Sequence, residues 1–428
     1  MNMNQIKTFF AVIAILQVSI LTAACQTKSA AVENAPPQTV NFDKPPTYQI
    51  NHKDLPKPYA SDSARRNSRM VAQPANAKLS LPKGFKISVF AEGGFTYPRW
   101  MTLAPNGDVF VADSRANSVV VLRDKNKDGT ITADERFTFA ENLSQPFGMA
   151  FNADYFYVAN TDAVVRFKYK SGQTIAEAAP EKIIALTEGG YNQHWTRNIL
   201  FSSDGKKLYV SIGSSGNVDV EKDERRAGIS EYNPDGTGYR LYASGLRNPI
   251  GLAWNPANGQ LWTAVNERDG LGDDLVPDYV SSVKDGGFYG FPFSYIGQNE
   301  EPRRKGENPE LVKKAIVPDV LLTSHSAALG IQFYTGKMFP KEYQGDAFVA
   351  LHGSWNREKL TGYKIIRVDF ENGKTVNNGY EDFISGWLPN ETSQEVWGRP
   401  VGLLVNSDGS LLIADDGAKK IWRVSYAK

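Results

Sequence analysis

A repeated strand–turn–strand unit is the feature that most constrains the fold of this chain. Asn-Gly and Asp-Gly pairs, which are strong hairpin signals, separate successive apolar runs at Asn106-Gly107, Asp204-Gly205, Asn258-Gly259 and Asp408-Gly409. The apolar runs that behave as second strands are 109–112, 156–159, 208–211, 261–264, 348–351 and 411–414. Long helical periodicity is absent. Six such repeats predict an all-β, six-bladed β-propeller with four-stranded antiparallel blades over 79–428. We expect residues 85–90 to pair into the last blade.

The first 78 residues differ in composition from the rest. Lys7 precedes an apolar stretch over 9–24 that ends in Thr22-Ala23-Ala24-Cys25, which predicts a signal peptide of the lipoprotein type over 1–24, with Cys25 as the lipidated residue. Simple secretion and a retained membrane anchor are the alternatives. Residues 25–78 are rich in Pro, Ala, Ser, Asn and Lys, which predicts a flexible linker. We therefore expect an exported protein on the periplasmic side, an outer-membrane lipoprotein that contacts the membrane through its lipid alone.

Charge and cysteine content narrow the function classes. The formal net charge is +1, and no tract rich in Lys or Arg is present, so nucleic-acid binding is excluded as the main role. Cys25 is the only cysteine, so the exported fold has no internal disulfide. No Cys-x-x-Cys-His motif occurs, and the chain therefore carries no cytochrome of its own.

Basic residues open several of the apolar runs. In a propeller, the loop that enters an innermost strand and the loop that leaves the second strand lie on one face, around the central channel. This face should hold His325, the polar clusters at 266–269 and 352–357, and four arginines, Arg99, Arg197, Arg247 and Arg399. A buried charge left unpaired costs about 3–5 kcal/mol. Either nearby acids neutralise these arginines, or a multiply anionic ligand does, and the planar guanidinium favours a carboxylate ligand.

One loop matches a different pattern. Residues 124–135 fit the twelve-position EF-hand calcium loop, with glycine at the sixth position and oxygen-bearing side chains at Asp124, Asn126, Asp128 and Glu135, and with the backbone carbonyl of Thr130 as a further ligand. The flanking segments are strands rather than helices. We interpret the loop as a structural calcium site on a blade hairpin, away from the channel face; the alternative is a solvated acidic turn.

Several motifs in fixed order resemble a known family. They are Tyr191-Asn192-Gln193-His194-Trp195-Thr196-Arg197-Asn198, Gly245-Leu246-Arg247-Asn248-Pro249-Ile250-Gly251, Asn266-Glu267-Arg268-Asp269-Gly270-Leu271-Gly272-Asp273-Asp274 and Leu351-His352-Gly353-Ser354-Trp355-Asn356-Arg357. These segments resemble the pyrroloquinoline-quinone (PQQ)-dependent sugar dehydrogenases, in particular the sorbosone dehydrogenase branch and the related pyranose dehydrogenases. The resemblance covers residues 81–428. PQQ carries three carboxylates and an ortho-quinone, which would explain the excess of arginine.

The resemblance also implies roles for individual residues. His194 corresponds to the general base that takes the proton of the sugar's C1 hydroxyl. The positions implied for the cofactor are Arg99, Arg197, Arg247, Asn248, His352, Arg357 and Arg399. A calcium ion beside PQQ would be bound by the turn at Arg268-Asp269, largely through backbone carbonyls. For His352 an equal alternative is a satisfied polar cluster with Asn356, and Trp355 either stacks on a bound ring or packs between blades.

The function predicted is therefore a PQQ- and calcium-dependent oxidoreductase. It would oxidise an aldose or a sorbosone-like aldehyde sugar and pass electrons to an external acceptor, a quinone or a cytochrome. A calcium-dependent lactonase or other hydrolase is the alternative, although its site needs a ring of Asp, Asn and Glu where this chain offers mostly arginine. A non-catalytic binding propeller is the third possibility. The glycine-rich and aromatic segment 286–292 is expected to form a lid over the channel.

Overall fold

The computed structural model describes residues 36–186 and 194–427. Six antiparallel sheets of at least four strands follow one another along the chain. The strands of the first three blades are Pro98–Leu103, Val109–Asp113, Ser118–Leu122 and Arg136–Ala140; Met149–Asn152, Tyr155–Ala159, Ala163–Lys168 and Glu181–Ala185; and Arg197–Phe201, Leu208–Ile212, Gly228–Tyr232 and Arg240–Ser244. The strands of the last three are Pro249–Trp254, Leu261–Val265, Tyr279–Ser282 and Val320–Leu321; Ala328–Phe333, Ala347–Leu351, Lys364–Val368 and Tyr380–Ile384; and Pro400–Val405, Leu411–Asp415, Lys420–Tyr426 and Phe85–Glu92.

The first strands of the blades form a closed inner ring. Each touches the first strand of the next blade, and the first strand of the sixth blade touches that of the first. Phe85–Glu92 pairs antiparallel with Lys420–Tyr426, so an N-terminal strand completes the last blade, as predicted. The six-bladed propeller and all six predicted second strands are therefore confirmed.

Turn chemistry explains why the hairpins form where they do. Gly107, Gly205, Gly259 and Gly409 have φ values of 91°, 69°, 70° and 86°, in the left-handed region that glycine adopts without a steric penalty. Each of these turns joins the first strand of a blade to the second. The Asn-Gly and Asp-Gly signals thus fix the hairpin register at four of the six blades.

The core lies between the blades. Every residue of the second strand Val109–Asp113 is buried, because both faces of a blade pack against neighbouring blades. Phe110, for example, has no exposed surface, and its ring centroid lies 4.9 Å from that of Phe156 in the next blade. Burying one such side chain contributes about 1.5–3 kcal/mol. These second strands read as continuous apolar runs for this reason.

The described part of the predicted linker, 36–78, is not a free tether. Gln38–Asn41 pairs in parallel with Lys78–Leu81, Thr47–Tyr48 adds an edge strand to the fifth blade beside Tyr380–Ile384, and Arg69–Met70 pairs with Glu395–Val396. Unpaired backbone groups at sheet edges take up extended polypeptide in this way. The prediction of a flexible linker is wrong for these residues.

The predicted lid is also wrong. Gly287–Phe288 pairs in parallel with Arg240–Ser244, the outermost strand of the third blade, and this pairing places it away from the channel. The remaining short elements of the insertion are the strands Ser294–Tyr295 and Asn299–Glu300 and the helix Pro309–Lys314. Other short elements are the strands Phe370–Glu371 and Lys374–Thr375 and the 3₁₀ turns Ser114–Ala116, Ala133–Glu135, Pro302–Arg304 and Lys341–Tyr343.

The predicted signal peptide and its lipidation residue, Cys25, lie outside the described residues. Among the residues that the structure describes, none of the helices has the length and apolar character needed to cross a membrane.

Candidate active site

A cavity of about 300 Å³ opens on the channel face. Its side chains come from the loops that precede first strands and the loops that follow second strands, as the topology predicted. They are His194, Arg247, Asn248, Asn266, Glu267, Asp269, Asp278, His325, His352, Trp355, Asn356 and Arg399. A larger hollow of about 880 Å³ lies beside 49–54 and 317–319, and none of the predicted site residues lines it.

His194 is held in one tautomer. Its Nδ1 lies 2.9 Å from the backbone carbonyl oxygen of Ser214, and a carbonyl can only accept, so Nδ1 carries the proton and Nε2 carries the lone pair. Burial and the positive charge of Arg247 lower the pKa of His194 to about 3. The imidazole is therefore neutral at physiological pH, in the protonation state that a general base requires.

Gly213 allows this arrangement. A Cβ atom at this position would overlap with the side-chain amide oxygen of Asn248 and with the Cβ of His194. The absence of a side chain at position 213 therefore lets His194 and Asn248 approach each other across the cavity wall.

Arg247 forms the charged wall of the cavity together with Asp269. Its guanidinium donates to the carbonyl oxygen of Glu267 at 2.6 Å and lies 3.3 Å from an Asp269 carboxylate oxygen. Burial would raise the pKa of Asp269, but the neighbouring His325 and the charge of Arg247 outweigh it and lower that pKa. Asp269 is therefore ionised, and one of the arginines predicted to need a ligand already has an acidic partner.

Arg399 is the second cavity arginine, and it is oriented by a histidine. Its guanidinium donates to Nδ1 of His352 at 3.0 Å, while Nε2–H of His352 donates to Asp416 at 2.9 Å. The carboxylate of Asp416 also pairs with the buried guanidinium of Arg99. Within the described part of the chain, Arg399 has no acidic side chain at ion-pair distance, which leaves its charge available to an anion in the cavity.

The pKa of His352 gives a testable pH dependence. Burial and the charge of Arg399 lower this pKa from 6.5 to about 4, against the opposing effect of Asp416. Between pH 6.5 and 4 the unfolded chain binds a proton at this residue and the folded protein does not, so the stability that it contributes is complete above pH 6.5 and falls by about 1.4 kcal/mol per pH unit below it.

We expect the difference in unfolding free energy between wild type and His352→Gln to shrink by this slope as pH falls from 6.5 to 4. Urea titrations at several pH values measure it. Glutamine keeps a donor toward Asp416 but does not titrate. A difference that is constant with pH would show that His352 is already protonated in the folded protein.

A second polar cluster surrounds His325. Nε2 of His325 lies 3.1 Å from the carbonyl oxygen of Gly272, and the side-chain amide of Asn356 lies 3.1 Å from His325 Nδ1 and 2.6 Å from Asp269. Burial raises the pKa of Asp278 to about 6, and this carboxylate accepts the backbone N–H groups of Glu267 and Ala327 at 2.8 and 2.6 Å.

The sequence placed Asn266, Glu267, His325 and Asn356 on the channel face but gave them no individual role in the site, and it did not single out Asp278. The first two and Asn356 lie in motifs that pointed to the right loops. No comparable signal marked Asp278, which precedes a third strand. The cavity therefore holds more acids and amides than arginines, which corrects the expectation that arginine dominates it.

Four predicted residues do not line the cavity. Arg99 forms a buried ion pair with Asp416, the same carboxylate that His352 contacts. Arg197 is fully buried and donates to the carbonyl oxygens of His194 and Thr196 at 2.6 and 3.0 Å, so it supports the loop that carries the base. Arg268 is fully buried between Glu267 and Glu301, with its guanidinium 3.0 and 3.5 Å from their carboxylates.

Arg357 is the fourth. It donates to the carbonyl oxygen of Asp273 at 2.8 Å and pairs with Asp274, and it is not among the lining side chains. Of the seven residues predicted for the cofactor, the structure therefore brings together Arg247, Asn248, His352 and Arg399. Trp355 lines the cavity and is 43% exposed, which excludes the alternative that it packs between blades.

The predicted calcium loop lies, as expected, between the third and fourth strands of the first blade. Its side chains bind backbone N–H groups of the loop itself. Asp124 accepts from Gly129 at 2.9 Å, Asp128 accepts from Thr130 at 2.8 Å, and Glu135 accepts from Lys125 at 2.8 Å. Asn126 donates to Asp128 at 2.8 Å. Over 36–186 and 194–427, no three His, Cys, Asp or Glu side chains gather in a metal-binding group. Calcium at this loop stays a prediction.

Comparison with known proteins identifies relatives of this chain. An uncharacterized protein of Borreliella burgdorferi (strain ATCC 35210 / DSM 4680 / CIP 102532 / B31) is 30% identical over 369 residues, covering 84% of this chain and 94% of the relative. The PQQ-dependent pyranose dehydrogenase of Coprinopsis cinerea is 23% identical over 413 residues, covering 81% of this chain and 54% of the relative. The chain thus spans about half of that longer protein.

The fold has solved counterparts. A calcium structure of the Trichoderma reesei Carbohydrate-Active Enzymes Family AA12 protein superposes with a TM-score of 0.71 at 20% identity, covering 84% of this chain and 99% of that one. The TrAA12-like sequence pattern matches residues 79–277 and 297–427, which is most of the propeller. The chain belongs to the TrAA12-like family.

Proposed function

We propose that the protein is a PQQ-dependent oxidoreductase that oxidises a sugar at the channel-face cavity. The observation that carries this proposal is the position of His194 in one cavity with two guanidinium groups, Arg247 and Arg399. His194 is a neutral base whose Nε2 carries the lone pair. The named pyranose dehydrogenase relative acts with the same cofactor.

The donor set fits a planar polyanion. The volume is at the lower end of the range of small-molecule pockets, and Arg247 and Arg399 present planar forks that suit carboxylates. Two buried oxygens of cavity-lining side chains, Oδ1 of Asn248 and Oε1 of Glu267, have no hydrogen-bond partner among residues 36–186 and 194–427. Buried polar atoms without partners are costly, and a bound ligand or cation would satisfy them.

The chain's own residues would perform the proton chemistry. Ser214 fixes the His194 tautomer, and Nε2 takes the proton from the hydroxyl at C1 of the sugar as the C1–H hydride leaves. PQQ, when bound, supplies the acceptor for that hydride. Arg247 and Arg399 would hold the cofactor's anionic groups. His352 keeps Arg399 in position.

Calcium is part of the proposal. The oxygens of the turn 267–269 would hold the ion, which would act as a Lewis acid on a quinone carbonyl. The backbone carbonyl of Glu267 already accepts from Arg247, and this contact ties the proposed cation site to the proposed anion site. Arg268 would contribute its backbone carbonyl, since its side chain is committed to Glu267 and Glu301. Asp269 would contribute its carboxylate, because its carbonyl oxygen already accepts from Asn217 and Arg303 at 2.9 Å.

The proposal also covers the substrate, the electron acceptor and the cellular location. The hydrated form of a sorbosone-like aldehyde, or an aldose hemiacetal, carries the C1 hydroxyl and the C1–H that a base and a hydride acceptor in one cavity need, and an external quinone or cytochrome would accept the electrons. Export and lipid attachment at Cys25 would place the protein at the outer membrane, on the periplasmic side.

Cys25→Ser should then move the protein from the membrane fraction to the soluble fraction, and unchanged fractionation would contradict the anchor.

Reconstitution tests the function. Apo protein is incubated with PQQ and calcium, each alone and together, and dye reduction is measured with a panel of aldoses and aldehyde sugars. Activity should require PQQ, rise with calcium and depend on sugar. Cleavage of a lactone with calcium alone would favour the hydrolase alternative, and neither activity would favour a binding propeller.

A further inference from the structure

An N-terminal segment binds two loops that carry cavity residues. Residues 59–70 precede the part of the chain that the TrAA12-like pattern matches, 79–277 and 297–427. They run past two loops that carry cavity residues, 269–274 from the fourth blade and 353–358 from the fifth, which we call the mouth loops. Apart from the pairing of Arg69–Met70 with Glu395–Val396, this segment has no regular structure.

The segment is attached first to the mouth loop 269–274. The backbone N–H of Tyr59 donates to the carbonyl oxygen of Leu271 at 2.7 Å. The hydroxyl of Ser63 accepts the N–H of Gly272 at 3.1 Å, and that of Ser61 accepts the N–H of Asp273 at 2.9 Å. Three consecutive residues of this loop thus have their backbone groups bound by the segment.

These attachments reach the cavity through one residue, Gly272. The carbonyl oxygen of Gly272, whose N–H is bound by Ser63, is the acceptor for His325 at 3.1 Å. His325 in turn lies 3.6 Å from the carboxylate of Asp269, and both side chains line the cavity. The position of the loop therefore determines the position of two lining residues.

The second mouth loop is held by Arg66. Its backbone N–H donates to the carbonyl oxygen of Trp355 at 2.8 Å, and its guanidinium donates to the carbonyl oxygens of Glu358 and Thr392 at 2.9 and 2.6 Å. The guanidinium of Arg65 lies 5.8 Å from the ring centroid of Trp355, an exposed side chain at the cavity. The segment thus joins the two mouth loops, which belong to different blades.

The attachment is almost entirely polar. Tyr59, Ser61, Ser63 and Arg65 are exposed, so little apolar burial holds this segment in place. Single hydrogen bonds of this kind contribute about 0.5–1.5 kcal/mol each, and a segment held by a few of them opens more readily than the core. Removing three side chains should therefore release it without unfolding the propeller.

We propose that residues 59–70 form a strap that positions the two mouth loops and so limits the size of the sugar that enters the cavity. The part of this inference that concerns sugars depends on the proposed function. The strap is a positioning element, since its residues act through Gly272 and Trp355. It would favour monosaccharides by holding the mouth narrow.

The test compares two full-length variants with wild type. Ser61→Ala/Ser63→Ala/Arg66→Ala removes the three attaching side chains. Asp62→Ala/Asn67→Ala changes exposed positions of the same segment whose side chains make none of these contacts. In hydrogen-exchange measurements, the backbone amides of 269–274 and 353–358 should exchange faster in the first variant only. This readout needs neither cofactor nor turnover.

Kinetics of the reconstituted enzyme then test the consequence. The first variant should show a KM for monosaccharide raised about fivefold or more, kcat within twofold of wild type, and a gain in activity on oligosaccharides relative to monosaccharides. Unchanged exchange would overturn the strap, and so would a fall in kcat at constant KM. A wild-type protein that oxidises no sugar would contradict the proposed function, and exchange alone would then decide whether the strap positions the loops.

Discussion

His194→Ala is expected to lower turnover by about 10²- to 10⁴-fold, the usual contribution of a general base, while the protein keeps its affinity for PQQ. The reason lies in the hydrogen-bond arrangement. Nδ1–H is donated to the Ser214 carbonyl at 2.9 Å, so Nε2 is the nitrogen that can accept a proton. The other two histidines of the cavity, His325 and His352, have no ring nitrogen available to accept a proton, because both nitrogens of each have partners.

The measurement pairs steady-state kinetics with an absorbance titration of the cofactor. His52→Ala is the matched control, since His52 is exposed and lies outside the cavity, and this variant should behave as wild type. Loss of cofactor affinity in His194→Ala to the same degree as loss of turnover would assign His194 to binding instead of proton transfer.

Arg247→Ala should weaken PQQ binding by about 2–5 kcal/mol, the usual cost of truncating one partner of a buried charge pair. Arg247 is buried and holds both the Glu267 carbonyl and the Asp269 carboxylate, so its loss would remove the proposed cofactor contact and leave Asp269 without its arginine partner. The positive charge of Arg247 also lowers the pKa of His194. Its removal should therefore raise that pKa and shift the acid limb of the kcat/KM profile to higher pH.

Equilibrium titration with PQQ and a pH–rate profile measure these two effects. Arg423→Ala is the control, because Arg423 is paired with Asp408 at 2.6 Å and is absent from the cavity lining. Adding Asp269→Asn to Arg247→Ala should recover stability but not affinity. Unchanged PQQ affinity in Arg247→Ala would refute its role in the anion site.

The sequence predicted the propeller well because its turns and buried strands depend on local chemistry. Gly107 and Gly409 adopt, without a steric penalty, the left-handed conformation that their turns need, and a strand such as Val109–Asp113 is buried on both faces because both are packed. The N-terminal attachments were missed since pairs such as Arg69–Met70 and Glu395–Val396 involve two residues each. No periodicity can be recognised over that length.

The site was predicted less completely, and the arginines show why. Arg247 and Arg399 stand just before their first strands and reach the cavity, whereas Arg99 and Arg197 lie within Pro98–Leu103 and Arg197–Phe201 and turn to buried partners. Moving an arginine by one or two residues relative to the start of its strand decides whether its side chain points into the cavity or toward buried partners. The sequence does not define the start of the strand closely enough to predict this. His325 reaches the cavity through a left-handed conformation with φ of 65°. Positive φ is uncommon for residues other than glycine, so nothing in the sequence indicated it here.

The central claim is that the channel-face cavity binds a single anionic quinone through Arg247 and Arg399. Calorimetric titration of the apo protein with PQQ, in the presence of calcium, tests it most directly. Wild type should bind one equivalent saturably, and Arg247→Ala/Arg399→Ala should lose that binding while remaining folded. Equal binding by the double variant, or no saturable binding by folded wild type, would contradict the claim.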